Sequence, residues 1–280
     1  MKSPSFRPNE IFAAVLASAI LAGCQSAPPL PPTSPELVGE VKVGSGYLRG
    51  YLDRKALPNS LALLPKPPAD GSPELAADMA VYIATRDLRG TARWNMAAQD
   101  ANLKFPNAAS TFACTMDLPI SQEQTPHLNM LLRRTLLDAG LSTYAAKDSY
   151  IRKRPFLLRG DLTCAPKEEA ALNKDGSYPS GHSALGWAWA LILSEVAPER
   201  ANAILARGLA FGQSRVICGV HWQSDVDAGR MMGAATVAAL HADPTFTAQL
   251  AAAKAEVANA RGKSLHASGD CKAESAALAK

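Results

Sequence analysis

The chain has 280 residues, 48% hydrophobic and 19% charged, with a formal charge of only +4. That length suits one large domain or two small ones, and the composition excludes general disorder. Mean hydropathy near zero excludes a multi-span membrane protein, and without a dense Lys/Arg run a nucleic-acid polymer is a poor partner.

The N-terminus reads as an export signal: Lys2 and Arg7 precede an apolar stretch, Ile11 to Leu21, too short for a membrane span. It ends in Leu21-Ala22-Gly23-Cys24, which resembles the bacterial lipobox. Residues 1–23 would then be a signal peptide, and acyl chains on Cys24 would hold the protein at a membrane surface without a spanning helix. Gln25 favours outer-membrane sorting, so the expected location is the periplasm of a Gram-negative bacterium. The alternative is a plain signal peptide with an incidental cysteine. Besides Cys24 there are Cys114, Cys164, Cys218 and Cys271, an even number that in an exported chain predicts two disulfides with three pairings open. No Cys-x-x-Cys or Cys/His cluster suggests a zinc site.

Residues 24–45 are a Pro-rich spacer, with five prolines between 25 and 35, and residues 46–262 form the folded domain. Residues 56–73 carry turn signals at Pro58-Asn59 and Asp70-Gly71 and read as an extended segment wrapped on the domain. An Ala-rich stretch from Pro73 to about Leu103 is predicted helical. Pro126 opens another helix, with Leu128, Leu131, Leu132, Leu136 and Leu137 at helical spacing. Further helices are predicted from Gly181 to Val196, from Pro198 to about Ile217, from Trp222 to His241 and from Pro244 to Arg261. Residues 263–280 read as a loose tail unless Cys271 pins it. Alternating strand patterns are scarce, so the predicted fold class is all-α, a single compact helical bundle.

Three segments concentrate charge, imidazole and glycine in these Ala/Leu-rich surroundings: Lys147-Asp-Ser-Tyr-Ile-Arg-Lys-Arg154-Pro155, Gly176-Ser-Tyr-Pro179-Ser180-Gly181-His182, and Ser214-Arg215-Val-Ile-Cys-Gly-Val-His221-Trp-Gln-Ser-Asp225. Ser180-Gly181-His182 stands at a helix start, where unpaired N–H groups suit an oxyanion. Gly181 allows close backbone approach and Ser180 adds a hydroxyl. His221 and Asp225 are four apart, and on one helix face the carboxylate would orient the imidazole. Lys147, Arg154 and Arg215 are the cation types that hold phosphate. Taken singly, the Ser180 turn reads equally well as an ordinary helix cap, while His221–Asp225 reads better as a surface ion pair and each cation better as a solvated charge. Arg152 and Lys153 add positive potential. His127, His241 and His266 lie outside these segments and read as structural or solvated, and core packing is the default for Trp187, Trp189 and Trp222, with pocket lining the alternative for Trp222 beside His221.

Together the segments resemble the tripartite signature of the type-2 phosphatidic acid phosphatase superfamily: Lys, six residues, Arg-Pro; Pro-Ser-Gly-His; Ser-Arg, five residues, His, three residues, Asp. Gly-Ser-Tyr-Pro-Ser-Gly-His, Asn59-Ser-Leu-Ala-Leu-Leu-Pro65, Gly212-Gln-Ser-Arg-Val-Ile-Cys-Gly219 and His221-Trp-Gln-Ser-Asp-Val-Asp227 narrow the resemblance to the bacterial class A non-specific acid phosphatases, over residues 46 to 258. Ser183 stands where that class usually has Thr, and the lipobox and Cys271 tail are not general to it. The resemblance implies hydrolysis of small phosphate monoesters (nucleotides, sugar or aryl phosphates) without a metal or other cofactor. It assigns His221 as nucleophile, Asp225 as its orienting group and His182 as general acid and base. Lys147, Arg154, Arg215, Ser180 and the Gly181 N–H become the phosphate ligands. It also suggests a homo-oligomer such as a dimer; membrane contact is expected only through the lipid anchor that the lipobox implies. The alternatives are a vanadium-dependent haloperoxidase, whose chains are usually much longer, a lipid-pyrophosphate phosphatase, and a non-catalytic lipoprotein that binds phosphorylated ligands.

Overall fold

The computed structural model describes residues 1–2, 30–267 and 269–279; Cys24 and the apolar stretch before it lie outside the described residues. Among the described residues helices dominate, and the only β pairing is a bridge between Glu40 and Leu48. The longer helices are α1 (Pro73–Ala84), α2 (Ala92–Asp100), α3 (Pro126–Leu141), α4 (Tyr144–Tyr150), α5 (Gly181–Val196), α6 (Ala201–Ile217), α7 (Gln223–Leu240), α8 (Pro244–Gly262) and α9 (Cys271–Leu278). None is long and apolar enough to cross a membrane. The all-α expectation holds.

Local chemistry sets the helix ends. Ser72, Thr91, Ser180, Asp243 and Asp270 each cap a helix by accepting the N–H of the residue three on. Pro73, Pro126 and Pro244 occupy first-turn positions, where a missing N–H costs nothing. Two N–H groups at the start of α3, those of His127 and Leu128, donate to the Glu256 carboxylate of α8 at 3.0 and 2.9 Å. The predicted helix from Pro73 to Leu103 is in fact two helices joined by a 3-10 turn. Gly90 takes a left-handed φ of 75° and Thr91 recaps the chain, which breaks an otherwise Ala-rich run.

α5 is the hub. It carries no charged residue before Glu195, so nearly its whole circumference seeks burial. It packs against α6, α7 and α3. Trp189, fully buried, donates its indole N–H to the Leu132 carbonyl of α3 at 3.0 Å and meets Phe105 and Phe112 edge-on. On α7, Gly229 and Gly233 are one turn apart, and a Cβ at either would collide with the carbonyl oxygens of Ser180 and Ala184 on α5. The resulting backbone contact lets the Ser180 N–H donate to the Asp225 carbonyl at 2.9 Å, which brings two of the sequence segments together.

The disulfides pair Cys114 with Cys271 and Cys164 with Cys218. The first pins the C-terminal tail, which is not loose: it forms α9 against α2, with Glu274 3.5 Å from Arg207. The segment at 56–73 does wrap the domain, with one helical turn at Ser60–Leu63. Ser60 Oγ accepts the Ala146 N–H of α4 at 2.9 Å, and Tyr178 donates its hydroxyl to the Pro65 carbonyl at 2.9 Å.

Just before it, the backbone N–H groups of Tyr51 and Leu52 donate to the Asp138 carboxylate of α3 at 2.8 and 3.1 Å. Burial of Asp138 outweighs these two donors and pushes its pKa up to about 6. Gly50 lies flat against the same carboxylate, and a Cβ there would collide with it. Gly50→Ala therefore forces this strap off α3. We expect a loss of about 1–3 kcal/mol, seen as a Tm lowered by about 3–10 °C in a thermal melt.

Candidate active site

The His221–Asp225 contact forms, though not through a shared helix face. His221 precedes α7, and Asp225 is in the helix's first turn with its carboxylate reaching back. Asp225 Oδ2 accepts the Trp222 backbone N–H at 2.8 Å and faces His221 Nδ1 at 3.2 Å. The other imidazole nitrogen, Nε2, faces Arg154 Nη1 at 3.0 Å. Because a guanidinium only donates, Nε2 accepts, and the Nδ1 proton points at Asp225. The ring is therefore held in one tautomer, its Nε2 lone pair turned toward the cations. Burial, then the charges of Arg154, Lys147 and Arg215, hold His221 well below the usual histidine range.

Asp225 has a second partner that sequence reasoning took only as background charge. Arg152 Nη1 lies 2.6 Å from Asp225 Oδ1, and Arg152 Nη2 lies 2.8 Å from Asp78 Oδ2. Asp78 in turn accepts the Ser224 backbone N–H at 2.8 Å and the Ser224 hydroxyl proton. Asp78, Arg152, Asp225 and His221 thus form a nearly water-free chain of alternating charge ending at the imidazole. Arg152 and Asp78 are far apart in sequence, on the α4 exit loop and on α1. The one local clue was Arg152's place inside the Lys147–Arg154 segment.

The cations arrive from separate elements. Lys147 lies on α4, which ends at Ile151 in the left-handed region with φ 43°. A β-branched residue adopts that conformation only under constraint, and here the chain turns after it, with Arg152 going to Asp78 and Asp225 and Arg154 coming back beside Lys147. Asp175 Oδ2 bridges Lys147 Nζ at 3.3 Å and Arg154 Nη2 at 3.1 Å. Burial and the Arg154 charge still lower the Lys147 pKa to about 8. Arg215, on α6, is fully buried, and its Nε, Nη1 and Nη2 have no hydrogen-bond partner among the described residues. Its nearest carboxylate oxygen, Glu168 Oε2, is 3.8 Å away. Burial drives its pKa down to about 10. Such an uncompensated guanidinium is a strong anion seat. The Cys164–Cys218 bridge ties the segment leading to Glu168 to the end of α6, three residues beyond Arg215.

Ser180, also fully buried, caps α5: its Oγ accepts the Ser183 N–H at 3.2 Å and the Ser183 hydroxyl at 2.9 Å. Ser183, where the class usually has Thr, keeps a hydroxyl in this role. With both acceptor sites filled, the Ser180 hydroxyl proton is left to donate elsewhere. Gly181 begins the helix, so its N–H is among those without an intrahelical acceptor. His182 Nε2 lies 3.0 Å from the Ala101 carbonyl and so carries the proton, leaving Nδ1 free. Burial, then Arg215, holds His182 well below the usual histidine range as well.

Lys147, Arg154, Gly181, His182 and His221 line one cavity of about 330 Å³. Ser180, Arg215 and Asp225 are buried behind that wall. All eight candidates from the sequence are thus at or just behind one cavity, and Asp175, Arg152 and Asp78 join them. Trp222 is core, its indole N–H donating to the Lys153 carbonyl at 2.9 Å. His127, His241 and His266 make contacts elsewhere, to Gln249, Glu195 and Asp117.

Comparison with known proteins identifies the family. Residues 128–247 match the PAP2 superfamily, a span that holds all eight candidates. The non-specific acid phosphatase of Providencia stuartii is 48% identical over 209 residues, covering 74% of this chain and 84% of the relative. The acid phosphatase of Zymomonas mobilis is 42% identical, covering 78% and 83%. The non-specific acid phosphatase of Salmonella typhimurium is 44% identical, covering 71% and 80%. The chain belongs to the class A non-specific acid phosphatases of the PAP2 superfamily and is an acid phosphatase that hydrolyses phosphate monoesters.

Proposed function

We propose that this acid phosphatase works through a phosphohistidine on His221. The observation that carries the reading is His221 Nε2 held as an acceptor at the cation cluster, with Nδ1 on Asp225. Arg154, Lys147, Arg215, the Ser180 hydroxyl and the Gly181 N–H hold the nonbridging phosphate oxygens. Nε2 attacks phosphorus as the P–O bond to the leaving alcohol breaks, and His182 gives that oxygen its proton. The imidazole then carries positive charge, which the Asp225 carboxylate offsets. Water next loses a proton to His182 and attacks phosphorus, the P–N bond breaks, and His221 is restored with release of inorganic phosphate. The basic side chains supply the charge stabilisation that phosphoryl transfer requires.

In the free protein His182 is depressed by burial and by Arg215. A bound phosphate dianion offsets those cations and raises the pKa of His182, so the acid form persists to higher pH in the complex. The alkaline limb of the kcat profile is therefore expected at higher pH than that of kcat/KM. Coincident limbs would remove His182 as the acid. His221→Ala should cost at least about a thousandfold in p-nitrophenyl phosphate hydrolysis. Acid-stable trapping of phosphate on the histidine variant, or retained turnover, would overturn the nucleophile assignment.

The Asp78–Arg152 pair gives a separate test. Asp78→Asn leaves the Arg152 charge less offset beside Asp225 and so disfavours an adjacent imidazolium. Lys147, Arg154, Arg215 and His182 also face His221 and stay unchanged in that variant. The acid limb of kcat/KM should then move to lower pH by roughly half a unit, with the rate at the optimum at least about tenfold lower. An unchanged limb in the folded variant would show that Asp225 alone sets the histidine.

The lipobox sequence supports placing the enzyme in the periplasm as an outer-membrane lipoprotein. Cells expressing the protein should incorporate radiolabelled palmitate into it. Cys24→Ser should abolish the label and shift activity to the soluble periplasmic fraction; label retained in that variant would exclude Cys24 as the anchor.

A further inference from the structure

Resting on the phosphatase reading of this cavity, we propose that the site favours phosphate monoesters with an apolar leaving alcohol, alkyl or aryl, over sugar and nucleotide phosphates. The cavity is lined by two chemically different kinds of side chain. Its basic side chains, Lys147, Arg154, His182 and His221, are those that meet the phosphate, with Asp175 beside Lys147 and Arg154. The rest of the wall is built by Leu103, Leu136, Leu137, Leu141, Leu172 and Leu185. These come from the loop after α2, from α3, from the one-turn helix at Glu169–Leu172 and from α5. Leu137 and Leu141 are four apart on α3, on one face, and neither is part of the buried core clusters. Tyr47 and Tyr144 complete the wall, and Tyr144 is 44% exposed.

Partners for hydroxyl groups are scarce along this wall. No Ser, Asn or Gln side chain lines the cavity among the described residues. Thr143 Oγ1 already donates to the Gly140 carbonyl at 2.7 Å. Asp175 Oδ2 is already paired with Lys147 and Arg154. Of the lining side chains only the Tyr47 and Tyr144 hydroxyls and the second Asp175 oxygen are left to meet sugar hydroxyls entering here, so most of those hydroxyls would surrender hydrogen bonds to water without replacing them. Methylene groups would gain: burial is worth about 0.8 kcal/mol each, close to fourfold in kcat/KM, and somewhat less where the mouth stays wet.

The test is a series of ethyl, butyl and hexyl phosphate below their micelle-forming concentrations, beside phenyl phosphate and ribose 5-phosphate. We expect kcat/KM to rise about two- to fourfold per methylene, carried mainly by KM, with ribose 5-phosphate at or below ethyl phosphate. A steeper gain with hexyl than with phenyl points to lipid-like chains, and equal gains point to any apolar group; both support the proposal. Leu137→Asn should cost hexyl phosphate about tenfold more than ethyl phosphate, and Leu141→Asn serves if the first variant does not fold. A flat series, or ribose 5-phosphate exceeding hexyl phosphate, overturns the proposal. His221→Ala separates the two claims. If it is inactive while the series is flat, only the leaving-group preference fails. If it remains active, the mechanism itself fails.

Discussion

Positive charge held out of water is the constraint around which this molecule is organised. Lys147, Arg154 and Arg215 are each at most 3% exposed, and the Arg152 side chain is 9% exposed. Cations in such a place are costly unless paired, and cations beside one another are costlier still. The fold answers with carboxylates of graded commitment. Asp225 and Asp78 grip Arg152 from two helices and are themselves buried. Asp175, about one-third exposed, serves Lys147 and Arg154 together. Glu168 stays 3.8 Å from Arg215 and does not close a hydrogen bond. The compensation is thus uneven, and it is weakest at Arg215, whose guanidinium a phosphate oxygen would complete. Anion affinity here follows from a deliberate shortfall in pairing on a rigid helical frame.

That frame explains why so many elements converge. Only α5 has the apolar circumference to sit at the centre, and its N-terminus is thereby fixed against α7 at the level of backbone atoms. The oxyanion-suited turn Ser180-Gly181 and the carboxylate of Asp225 are positioned by one and the same helix contact. A shift of α7 along α5 would move the histidine's support and the phosphate's backbone donor together. Coupling of this kind keeps the groups in register without a dedicated hinge or clamp.

What the sequence disclosed follows the range over which its physics acts. Helices α3, α5, α7 and α8 were readable because periodicity, proline and cap residues act within a few positions. The break at Gly90-Thr91 was missed because Ala-rich windows on both sides share the same propensity, and two residues decide the outcome. The His221–Asp225 contact was anticipated for another reason than the one that operates. A side chain reaching back from the first turn of α7 does what a shared helix face was expected to do. Disulfide pairing and the Asp78–Arg152 ion pair were not readable. Each depends on elements brought together from distant parts of the chain, and the Arg152 side chain gives no local sign of which carboxylate it will meet.

The two kinds of side chain lining the cavity are placed by different means, and this separates their roles. The groups that meet phosphate depend on long-range ion pairs among buried groups, where one substitution leaves an opposite charge stranded. The leaving-group wall depends on the surface of α3 and its neighbours, where Leu137 and Leu141 are held by helix geometry and contribute little to the core. α3 secures itself from its other sides, through Glu256 at its N-terminus and through Asp138 gripping the strap that carries Tyr47 nearby. Leu137 and Leu141 can therefore vary without disturbing the charges that act on phosphorus, whereas Leu136 and Leu185 belong to the core and the Leu172 carbonyl accepts from Arg154. A scaffold arranged in this way can keep one reaction while exchanging one class of leaving group for another.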